Sequence, residues 1–508
     1  MKINLTEYFK ETVLKYPLKT AVIEGGETID FSTLDLRAKQ TANVIVEKCN
    51  CLNLPIAIFL PKSIDAVIAD IAITYSGNIY MNLDIKTPSE RIKNIISTIE
   101  PYAIITNTKF LQLIVDIIPH DTIVINLDKI DLNICIDEIN LVKRLDILID
   151  TDPLCIINTS GSTGTPKGVV LNHRSFFDFT EWAIETLGIG DNEIIGSLSP
   201  IVFDIYSHEL CMLMCKGSTI ILLPENLSAF PFKILELLKS KEVSYIFWVP
   251  TIMVNIATMD LLSNFYLPHL KTVWFAGEVL PTKQYNYWHK YLPHTKFINL
   301  YGPIEITLDC TYYIVGREFA DNEPLPIGFP CRNTSILILN ESDQLCKHGE
   351  EGELCVRGTS LAMGYYNNPE KTATTFTQNP LNTKYPELIY RTGDIVMINY
   401  RGEIMFKGRK DTLVKHLGYR VELGEIEHII VNTLKLVSNG CVIYNHEAKE
   451  INLLYESESE VTPAIFRKVI GESLPKYMVP TKYTRVEKMP MNTNGKIDRL
   501  TLSKQVNG

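Results

Sequence analysis

The stretch "NTSGSTGTPKG", residues 158–168, follows a short apolar run and combines glycines, serines and threonines with one lysine. Glycines let backbone N–H groups approach an anion closely, and hydroxyls and a lysine add donors and charge. The stretch therefore predicts a phosphate-binding loop. Its spacing is not G-x-x-x-x-G-K-[ST], because Lys167 is followed by Gly168, and it contains no G-x-G-x-x-G. A flexible surface linker is the alternative, since the same residue types mark linkers.

The segments around this loop predict a chain of two parts. Ile- and Val-rich runs such as "PIAIFL" (55–60) alternate with amphipathic segments, which predicts an α/β domain of mixed, mostly parallel sheets. After about residue 330, runs separated by Gly, Asn and Asp turns predict an antiparallel β region. Helical "ELGEIEHIIVNTLK" (422–435) and the strand-like "GCVIYN" (440–445) that follows predict a small α+β domain. The expected domains are residues 1–410 and 411–508, joined by a hinge.

Composition excludes several classes of partner. The 508 residues exceed what one hydrophobic core normally serves, and the net charge of −10 disfavours nucleic acid and anionic membrane surfaces. The most apolar stretch, residues 66–81, is short and interrupted by Asp70, so it predicts a buried helix leading into a strand and not a membrane span. The N-terminus has no secretory signal pattern, and the eleven cysteines form no repeated C-x-x-C pair. These features predict a cytoplasmic protein.

Five further motifs follow the loop in order. They are "FDIYSHEL" (203–210), "NLYGPIE" (299–305), "GELCVRG" (352–358), "YRTGD" (390–394) with "GRKDTLVKHLGYRVELGEIE" (408–427), and "NTNGKIDR" (492–499). Together with the loop they resemble the core motifs of the adenylate-forming superfamily, which includes acyl-CoA synthetases, luciferases and the adenylation domains of nonribosomal peptide synthesis. The resemblance covers nearly the whole chain. It is closest to free-standing amino-acid activating enzymes such as D-alanine–carrier-protein ligases.

The resemblance implies an ATP site. It assigns Glu305 to Mg²⁺, for which a hard oxygen ligand is suitable, Tyr301 to stacking on adenine, and Asp394 to the ribose hydroxyls. A simple core tyrosine is the alternative for Tyr301. The expected ATP-binding residues are Thr159, Ser160, Gly161, Ser162, Thr163, Gly164, Lys167, Asn299, Leu300, Tyr301, Gly302, Asp394, Arg409 and Lys496.

Catalysis is expected to depend on Lys496, Glu305 and Thr163. Lys496 resembles the lysine that bridges the substrate carboxylate and the α-phosphate, although a solvated turn lysine is the alternative reading. Asp411 resembles the hinge about which the small domain rotates after adenylate formation. Lys496 then leaves, and "HLGYRVELGEIE" (416–427) forms the channel for a phosphopantetheine thiol. Ile304 departs from the family, whose members usually have a threonine there that bonds the α-phosphate.

The pocket for the carboxylic acid substrate is expected to bind an amino acid. Asp204 matches the residue that pairs with the α-ammonium, and an unpaired ammonium is costly to desolvate; a helix N-cap is the alternative for this aspartate. Trp274 and Phe247 would fill volume, which favours a small side chain such as that of alanine, serine or proline. His208 and Asp309 could meet a hydroxyl or an amine. The predicted lining is Asp204, Ile205, His208, Phe247, Trp274, Ala276, Leu300, Leu308 and Asp309.

These features predict an amino acid–carrier-protein ligase that uses ATP and Mg²⁺. It would form an aminoacyl-AMP and pyrophosphate, and then transfer the aminoacyl group to a phosphopantetheine thiol on a carrier protein acting in trans. An acyl- or aryl-CoA synthetase is the first alternative, against which Asp204 argues. A nucleotide-binding homologue with impaired catalysis is the second alternative, and Ile304 is its support.

Overall fold

The structure of the protein is a computed structural model that describes residues 2–131, 133–159, 166–410, 413–457, 459–490 and 497–507. The strands in chain order are β1 Thr20–Glu24, β2 Glu27–Asp30, β3 Pro55–Ile58, β4 Ile79–Asn82, β5 Ala103–Thr106, β6 Ile123–Asn126, β7 Pro153–Thr159, β8 Lys167–Asn172, β9 Ile194–Ser197, β10 Thr219–Leu222, β11 Tyr245–Trp248, β12 Thr272–Phe275, β13 Lys296–Tyr301, β14 Thr311–Ile314, β15 Phe329–Pro330, β16 Thr334–Leu339, β17 Gly352–Gly358, β18 Gly364–Tyr365, β19 Phe376–Gln378, β20 Leu388–Ile398, β21 Ile404–Arg409, β22 Leu413–His416, β23 Tyr419–Glu422, β24 Asn439–Asn445, β25 Glu450–Glu456 and β26 Lys482–Arg485.

The helices alternate with these strands along most of the chain. They are α1 Leu5–Lys15, α2 Phe31–Lys48, α3 Ile64–Tyr75, α4 Ser89–Ile99, α5 Thr108–Ile114, α6 Glu138–Leu145, α7 His173–Leu187, α8 Asp204–Lys216, α9 Pro231–Ser240, α10 Pro250–Thr258, α11 Thr282–Tyr291, α12 Pro369–Thr375, α13 Leu423–His428, α14 Pro463–Gly471 and α15 Arg499–Asn507. Within the described ranges, no helix combines the length and apolar character needed to cross a bilayer.

Two mixed sheets form the large part of the molecule. The first has the strand order β15-β14-β13-β12-β11-β9-β10-β1-β2, and its strands from β13 to β1 are parallel. The second has the order β18-β8-β7-β4-β3-β5-β6, with β8 and β18 antiparallel at one edge. A third sheet, built on β16, β17, β19, β20 and β21, is antiparallel throughout. The predicted α/β architecture with an added antiparallel β region is confirmed.

Helix α3 shows why the apolar stretch at residues 66–81 is a core segment. Every residue of α3 except Asp65 is buried, which is typical of a helix that is covered on all sides. The buried Asp70 accepts hydrogen bonds from Tyr206 Oη (2.7 Å) and Asn82 Nδ2 (3.0 Å), so its carboxyl ties α3 to α8 and β4. Burial raises the pKa of Asp70 to about 7. The chain then enters β4, as the sequence predicts.

The C-terminal part is a small α+β unit. The β22–β23 hairpin precedes a sheet of order β24-β25-β26, and the core of this unit includes Val421, Ile426 and Phe466. The helix expected over residues 422–435 is shorter: α13 ends at His428 and continues as one π-helical segment, Ile429–Thr433. The predicted boundary lies between residues 410 and 411, and Asp411 is outside the described residues. The domain limits therefore stay a prediction.

Candidate active site

A cavity of about 170 Å³ lies where the large part meets the β22–β23 hairpin. Its walls include the residues after the C-terminal ends of the parallel strands β11, β12 and β13, such as Val249, Ala276 and Gly302. This edge of an α/β sheet is where ligands usually bind. The hairpin closes the opposite wall with Lys415, Gly418, Tyr419 and Arg420.

Asp204 and Asp309 both line this cavity. Asp204 is the first residue of α8, its Oδ1 accepts from the backbone N–H of Ile205 at 3.0 Å, and the N-cap position is held by Phe203. Burial raises the pKa of Asp204 to about 6, although backbone N–H groups and Lys415 oppose the shift. Burial, with the charge of Asp204, raises the pKa of Asp309 well above its usual range. The cavity therefore holds two carboxyl groups that an additional cation or donor would stabilise.

Lys415 of the hairpin interacts electrostatically with both of these carboxyl groups. Its side chain is partly buried, and burial lowers the pKa of its ammonium. The Lys415 Nζ lies 5.7 Å from the centroid of the Tyr301 ring, and it interacts electrostatically with Asp394 and Asp309. The sequence argument did not single out Lys415. The sequence signal that could have identified it is a lysine between Val414 and His416, in a short strand whose other residues are buried.

Tyr301, Asp394 and Arg409 come together as the resemblance implied. Tyr301 Oη donates to Asp394 Oδ2, and Arg409 Nη1 donates to Asp394 Oδ1 at 2.6 Å. Asp394 and Arg409 are paired opposite each other across β20 and β21, which fixes their approach. Burial and the charge of Asp394 raise the pKa of the Tyr301 hydroxyl well above its usual range. The side chain of Asn299 does not join this cluster through its amide nitrogen, because Nδ2 donates to the Pro326 carbonyl at 2.7 Å.

Gly302 follows Tyr301 at a point of close backbone approach. A Cβ at Gly302 would lie 2.3 Å from the carbonyl oxygen of Leu308, so only glycine fits without a shift of the backbone. Thr307 and Leu308 themselves have positive φ, at 54° and 66°, before the chain enters β14. This compact turn brings Asp309 to the same cavity as Gly302.

Glu305 is completely buried and has two partners. Tyr365 Oη donates to Glu305 Oε1 at 2.8 Å, and Arg420 Nη1 donates to Glu305 Oε2 at 2.5 Å. Burial would raise the pKa of Glu305, but the charge of Arg420 and these hydrogen bonds hold the pKa below its usual value. An ionised, buried carboxylate beside a phosphate site suits Mg²⁺, which commonly uses one or two protein carboxylates with water and substrate phosphates. Glu305 therefore fits the expected ion.

The phosphate-loop stretch begins and ends on paired strands. Thr159 of β7 is opposite Lys167 of β8, so both ends of the loop reach the same edge of the second sheet. Asn158, Thr159 and Pro166 line the cavity. Lys167 Nζ lies 3.7 Å from Glu422 Oε1, and burial lowers the pKa of this lysine. Thr159 Oγ1 is buried and has no hydrogen-bond partner among the described residues.

Seven of the predicted residues lie outside the described residues. They are Ser160, Gly161, Ser162, Thr163, Gly164, Asp411 and Lys496. Their assignments as phosphate-binding, hinge and catalytic residues stay predictions.

The predicted side-chain pocket divides into a lining and a backing layer. Ile205, Phe247, Ala276 and Leu308 line the cavity together with the two aspartates. His208, Trp274 and Leu300 are not among the lining residues and belong to the adjoining core, where the ring centroids of His208 and Trp274 stack at 5.3 Å. Burial lowers the pKa of His208 to about 3, so its ring is neutral and its Nε2 is 3.3 Å from Tyr245 Oη. The aromatic layer behind Phe247 closes this end of the cavity.

The AMP-binding enzyme family matches residues 9–366. The chain belongs to this family. Its assignment to the adenylate-forming superfamily from the sequence motifs is therefore confirmed. The match covers more than half the chain and includes Asp204 and Glu305, whereas Asp394 and Arg409 lie after its last residue.

Individual relatives agree with this membership. Zwittermicin A synthase ZmaJ of Bacillus cereus is 30% identical over 510 residues, which cover 99% of this chain and 95% of that protein. Gramicidin S synthase 1 of Brevibacillus brevis is 31% identical over 510 residues, which cover 98% of this chain. The chain spans only 44% of that synthase, so the synthase carries further regions that this chain does not match.

Solved structures show the shared fold. The Vibrio cholerae adenylation domain AlmE, in complex with glycyl-adenosine-5′-phosphate, has a TM-score of 0.86 at 20% identity and covers 99% of this chain and 98% of its own. Holo-PA1221, which contains adenylation and PCP domains, has a TM-score of 0.83 at 19% identity and covers 99% of this chain and 84% of its own. The fold thus includes the small C-terminal unit as well as the large part.

Proposed function

We propose that the protein is an ATP-dependent amino acid–carrier-protein ligase that forms an aminoacyl-AMP and transfers the aminoacyl group to a phosphopantetheine thiol in trans. The observation that carries the proposal is Asp204, a carboxylate in the cavity wall whose pKa is raised to about 6. An α-ammonium beside Asp204 would stabilise its ionised form, and the carboxylate would compensate the desolvation of the ammonium. Fatty and aryl acids have no such group.

The ATP side of the same site supports the nucleotide assignment. Asp394, within β20, accepts hydrogen bonds from Tyr301 and Arg409, and we propose that it also accepts from ribose hydroxyls. Lys415 interacts electrostatically with Asp394 and with Asp309, so one partly buried cation serves both halves of the proposed site. A molecule whose ribose meets Asp394 and whose ammonium meets Asp204 has the composition of an aminoacyl-AMP.

The first step joins two anions. A carboxylate oxygen of the amino acid bonds to the α-phosphorus of ATP, the bond from phosphorus to the oxygen that bridges the α and β groups breaks, and pyrophosphate leaves. Two unit charges of like sign at ~4 Å repel by about 4 kcal/mol at an intermediate dielectric constant. Lys496 is proposed to lie between them, and Lys167 to contact the leaving pyrophosphate. Mg²⁺ bound at Glu305 would supply neutralising charge on the phosphate oxygens.

The second step uses the arrangement in which the hairpin lines the cavity. The thiol sulfur attacks the carbonyl carbon, the bond from that carbon to the AMP oxygen breaks, and the thiol proton is released. The cavity that Asp204 lines is also lined by Thr87, Arg91, Tyr419 and Arg420, and we propose that the thiol arm enters between these residues. Tyr419 is held by stacking on Tyr477, with ring centroids 3.7 Å apart.

The side-chain end of the cavity supports a small amino acid. Phe247 and the aromatic layer behind it leave little depth. Burial and the charge of Asp204 raise the pKa of Asp309, which disfavours its ionised form, so we propose that Asp309 contacts a neutral hydroxyl and not a second ammonium. Among alanine, serine and proline, serine has the group that Asp309 can hydrogen-bond.

Amino-acid-dependent exchange of pyrophosphate into ATP tests the proposal. Exchange is expected with a small amino acid, and transfer is expected to a phosphopantetheinylated carrier in preference to free CoA. Exchange that appears only with fatty or aryl acids would favour the acyl- or aryl-CoA synthetase alternative. ATP binding without exchange for any acid would favour the impaired homologue.

A further inference from the structure

An uncharged polar side chain, that of Asn82, lies in the cavity wall close in sequence to Thr87 and Arg91. Asn82 is the last residue of β4, lines the cavity and is 7% exposed. Leu83 and Asp84, which follow it, line the same cavity. Asn82 therefore belongs to the wall along which the thiol arm is proposed to enter.

The orientation of the Asn82 side chain is set by Asp70. Asn82 Nδ2 donates to Asp70 Oδ1 at 3.0 Å, and Asp70 Oδ2 accepts from Tyr206 Oη at 2.7 Å. Because the amide nitrogen faces Asp70, the amide oxygen points away from that carboxyl. Asn82 Oδ1 is buried and has no hydrogen-bond partner among the described residues. Buried acceptors are normally satisfied, so this oxygen is available to a donor in the cavity.

Asn158 adds a second carboxamide to the cavity wall. Strands β4 and β7 are parallel neighbours with Tyr80 opposite Cys155, and Asn82 and Asn158 follow these two residues toward the same end of the sheet. Asn158 also lines the cavity, and within the described ranges neither its Nδ2 nor its Oδ1 has a hydrogen-bond partner. The two side chains offer both acceptors and donors without charge, a combination that complements an amide.

We propose that Asn82 and Asn158 bind an amide group of the phosphopantetheine arm, and that Asp70 is the positioning residue that turns the Asn82 oxygen toward it. The Asn82 oxygen accepts from the N–H of the arm, and the Asn158 nitrogen donates to its carbonyl. The arm contains amides along its length, whereas serine, alanine and ATP contain none. This inference rests on the proposed function, which brings the arm into the cavity.

The test compares two thiols as acceptors of the aminoacyl group, with the full chain and the amino acid that supports pyrophosphate exchange. Free pantetheine carries the amides of the arm, and pentanethiol is an alkyl thiol without an amide. Thioester formation is measured for wild type, Asn82→Leu, Asn158→Leu and Asp70→Asn. Asn126→Leu is the matched control, because Asn126 is the buried last residue of β6 in the same sheet and does not line the cavity.

The preference for pantetheine over pentanethiol is the quantity that the variants should change. In Asn82→Leu and Asn158→Leu, kcat/KM for pantetheine should fall roughly two- to tenfold, as expected for one hydrogen bond between uncharged groups. The values for pentanethiol and the rate of pyrophosphate exchange should stay at those of wild type. Asp70→Asn should also lower the preference, because an amide in place of that carboxyl can face either end of the Asn82 carboxamide. Asn126→Leu should leave the preference unchanged.

An equal fall for both thiols, or an unchanged preference in Asn82→Leu, would overturn the proposal. A fall in pyrophosphate exchange that matches the fall in transfer would overturn it too, because Asn82 would then act on the amino acid or ATP. Wild type that exchanges pyrophosphate but forms no pantetheine thioester would overturn this inference and leave adenylation standing, whereas no exchange with any acid would reject the proposed function itself. Thermal melting verifies folding, and Asn82→Ser replaces Asn82→Leu if the leucine variant does not fold.

Discussion

Asp204 and Asp309 line one cavity, and burial together with the charge of Asp204 raises the pKa of Asp309. Lys415 lies close enough to lower the pKa of both carboxyl groups in part. An ammonium beside Asp204 and a hydroxyl beside Asp309 would satisfy this unequal pair better than two cations would. This unequal pair is the reason that we propose an amino acid with a hydroxyl-bearing side chain as the substrate.

Replacement of Asp204 by asparagine should raise the KM for the amino acid. Hydrogen bonds to charged groups contribute about 1.5–3 kcal/mol, which corresponds to roughly 10- to 150-fold. The KM for ATP should change little, because Asp394 and Arg409 are untouched. Pyrophosphate exchange with each substrate varied in turn measures both constants, and the KM for ATP is the internal control. An unchanged amino-acid KM would remove the role of Asp204.

The KM for the amino acid should depend on pH through Asp204. Its pKa in the protein without substrate is about 6, above the ordinary value, so protons compete with the ammonium as the pH falls below 6. The KM should then rise by up to about tenfold per pH unit, the limit for one titrating group. Exchange rates from pH 5 to 8 give the profile, and Asp204→Asn should flatten it. The same slope in that variant would assign the titration to another group.

Tyr301→Phe should weaken ATP binding moderately. The variant keeps the aromatic ring but removes the hydroxyl that donates to Asp394. The loss of one hydrogen bond, about 0.5–1.5 kcal/mol, predicts a roughly two- to tenfold higher KM for ATP. Tyr312→Phe, on the neighbouring strand β14, is a suitable control. Equal effects of the two substitutions would argue against a nucleotide role for Tyr301.

Substitutions of the two lysines in the proposed mechanism should affect the two half-reactions differently. Lys496→Ala should abolish adenylation and leave transfer from a supplied aminoacyl-AMP largely intact, because the lysine is needed only where two anions meet. Lys167→Ala should slow adenylation less. Single-turnover assays of each half-reaction provide the comparison. If Lys167→Ala proved the more severe change, the catalytic lysine would have been assigned incorrectly.

Ile304→Thr should accelerate adenylation. Ile304 lines the cavity and packs partly against the core, so a threonine of similar shape can place a hydroxyl where the family usually has one. One added hydrogen bond of about 0.5–1.5 kcal/mol predicts a roughly two- to tenfold higher kcat in the exchange assay. Ile304→Val, which shortens the side chain without adding a donor, is the control. An equal gain in both variants would attribute the effect to volume.

Much of this architecture could be predicted because it depends on the local periodicity of apolar residues and on the positions of turn residues. The apolar runs that become β3, β5 and β10 and the helix α9 are set by periodicity and bounded by turn residues. Sequence motifs identify Tyr301, Asp394 and Arg409. The pairing of β20 with β21 then places Asp394 beside Arg409. Local sequence is sufficient for such elements because each one buries its own apolar face.

The contacts of the hairpin could not be predicted in the same way. Arg420 and Glu305 are 115 residues apart, and their pairing depends on how the small part rests on the large one. The same holds for Lys415, whose role follows from burial beside Asp394 and Asp309 and not from any spacing. His208 and Trp274 were expected to line the pocket, but the strand and helix directions place them one layer behind Phe247.

The most direct test of the account is pyrophosphate exchange by the purified protein against a panel of D- and L-amino acids, with fatty and aryl acids alongside. We predict that exchange requires a small amino acid and is strongest with a hydroxyl-bearing one. We also predict that Asp204→Asn loses exchange at ordinary substrate concentrations. Exchange supported only by acids without an ammonium group, or unaffected by Asp204→Asn, would contradict it.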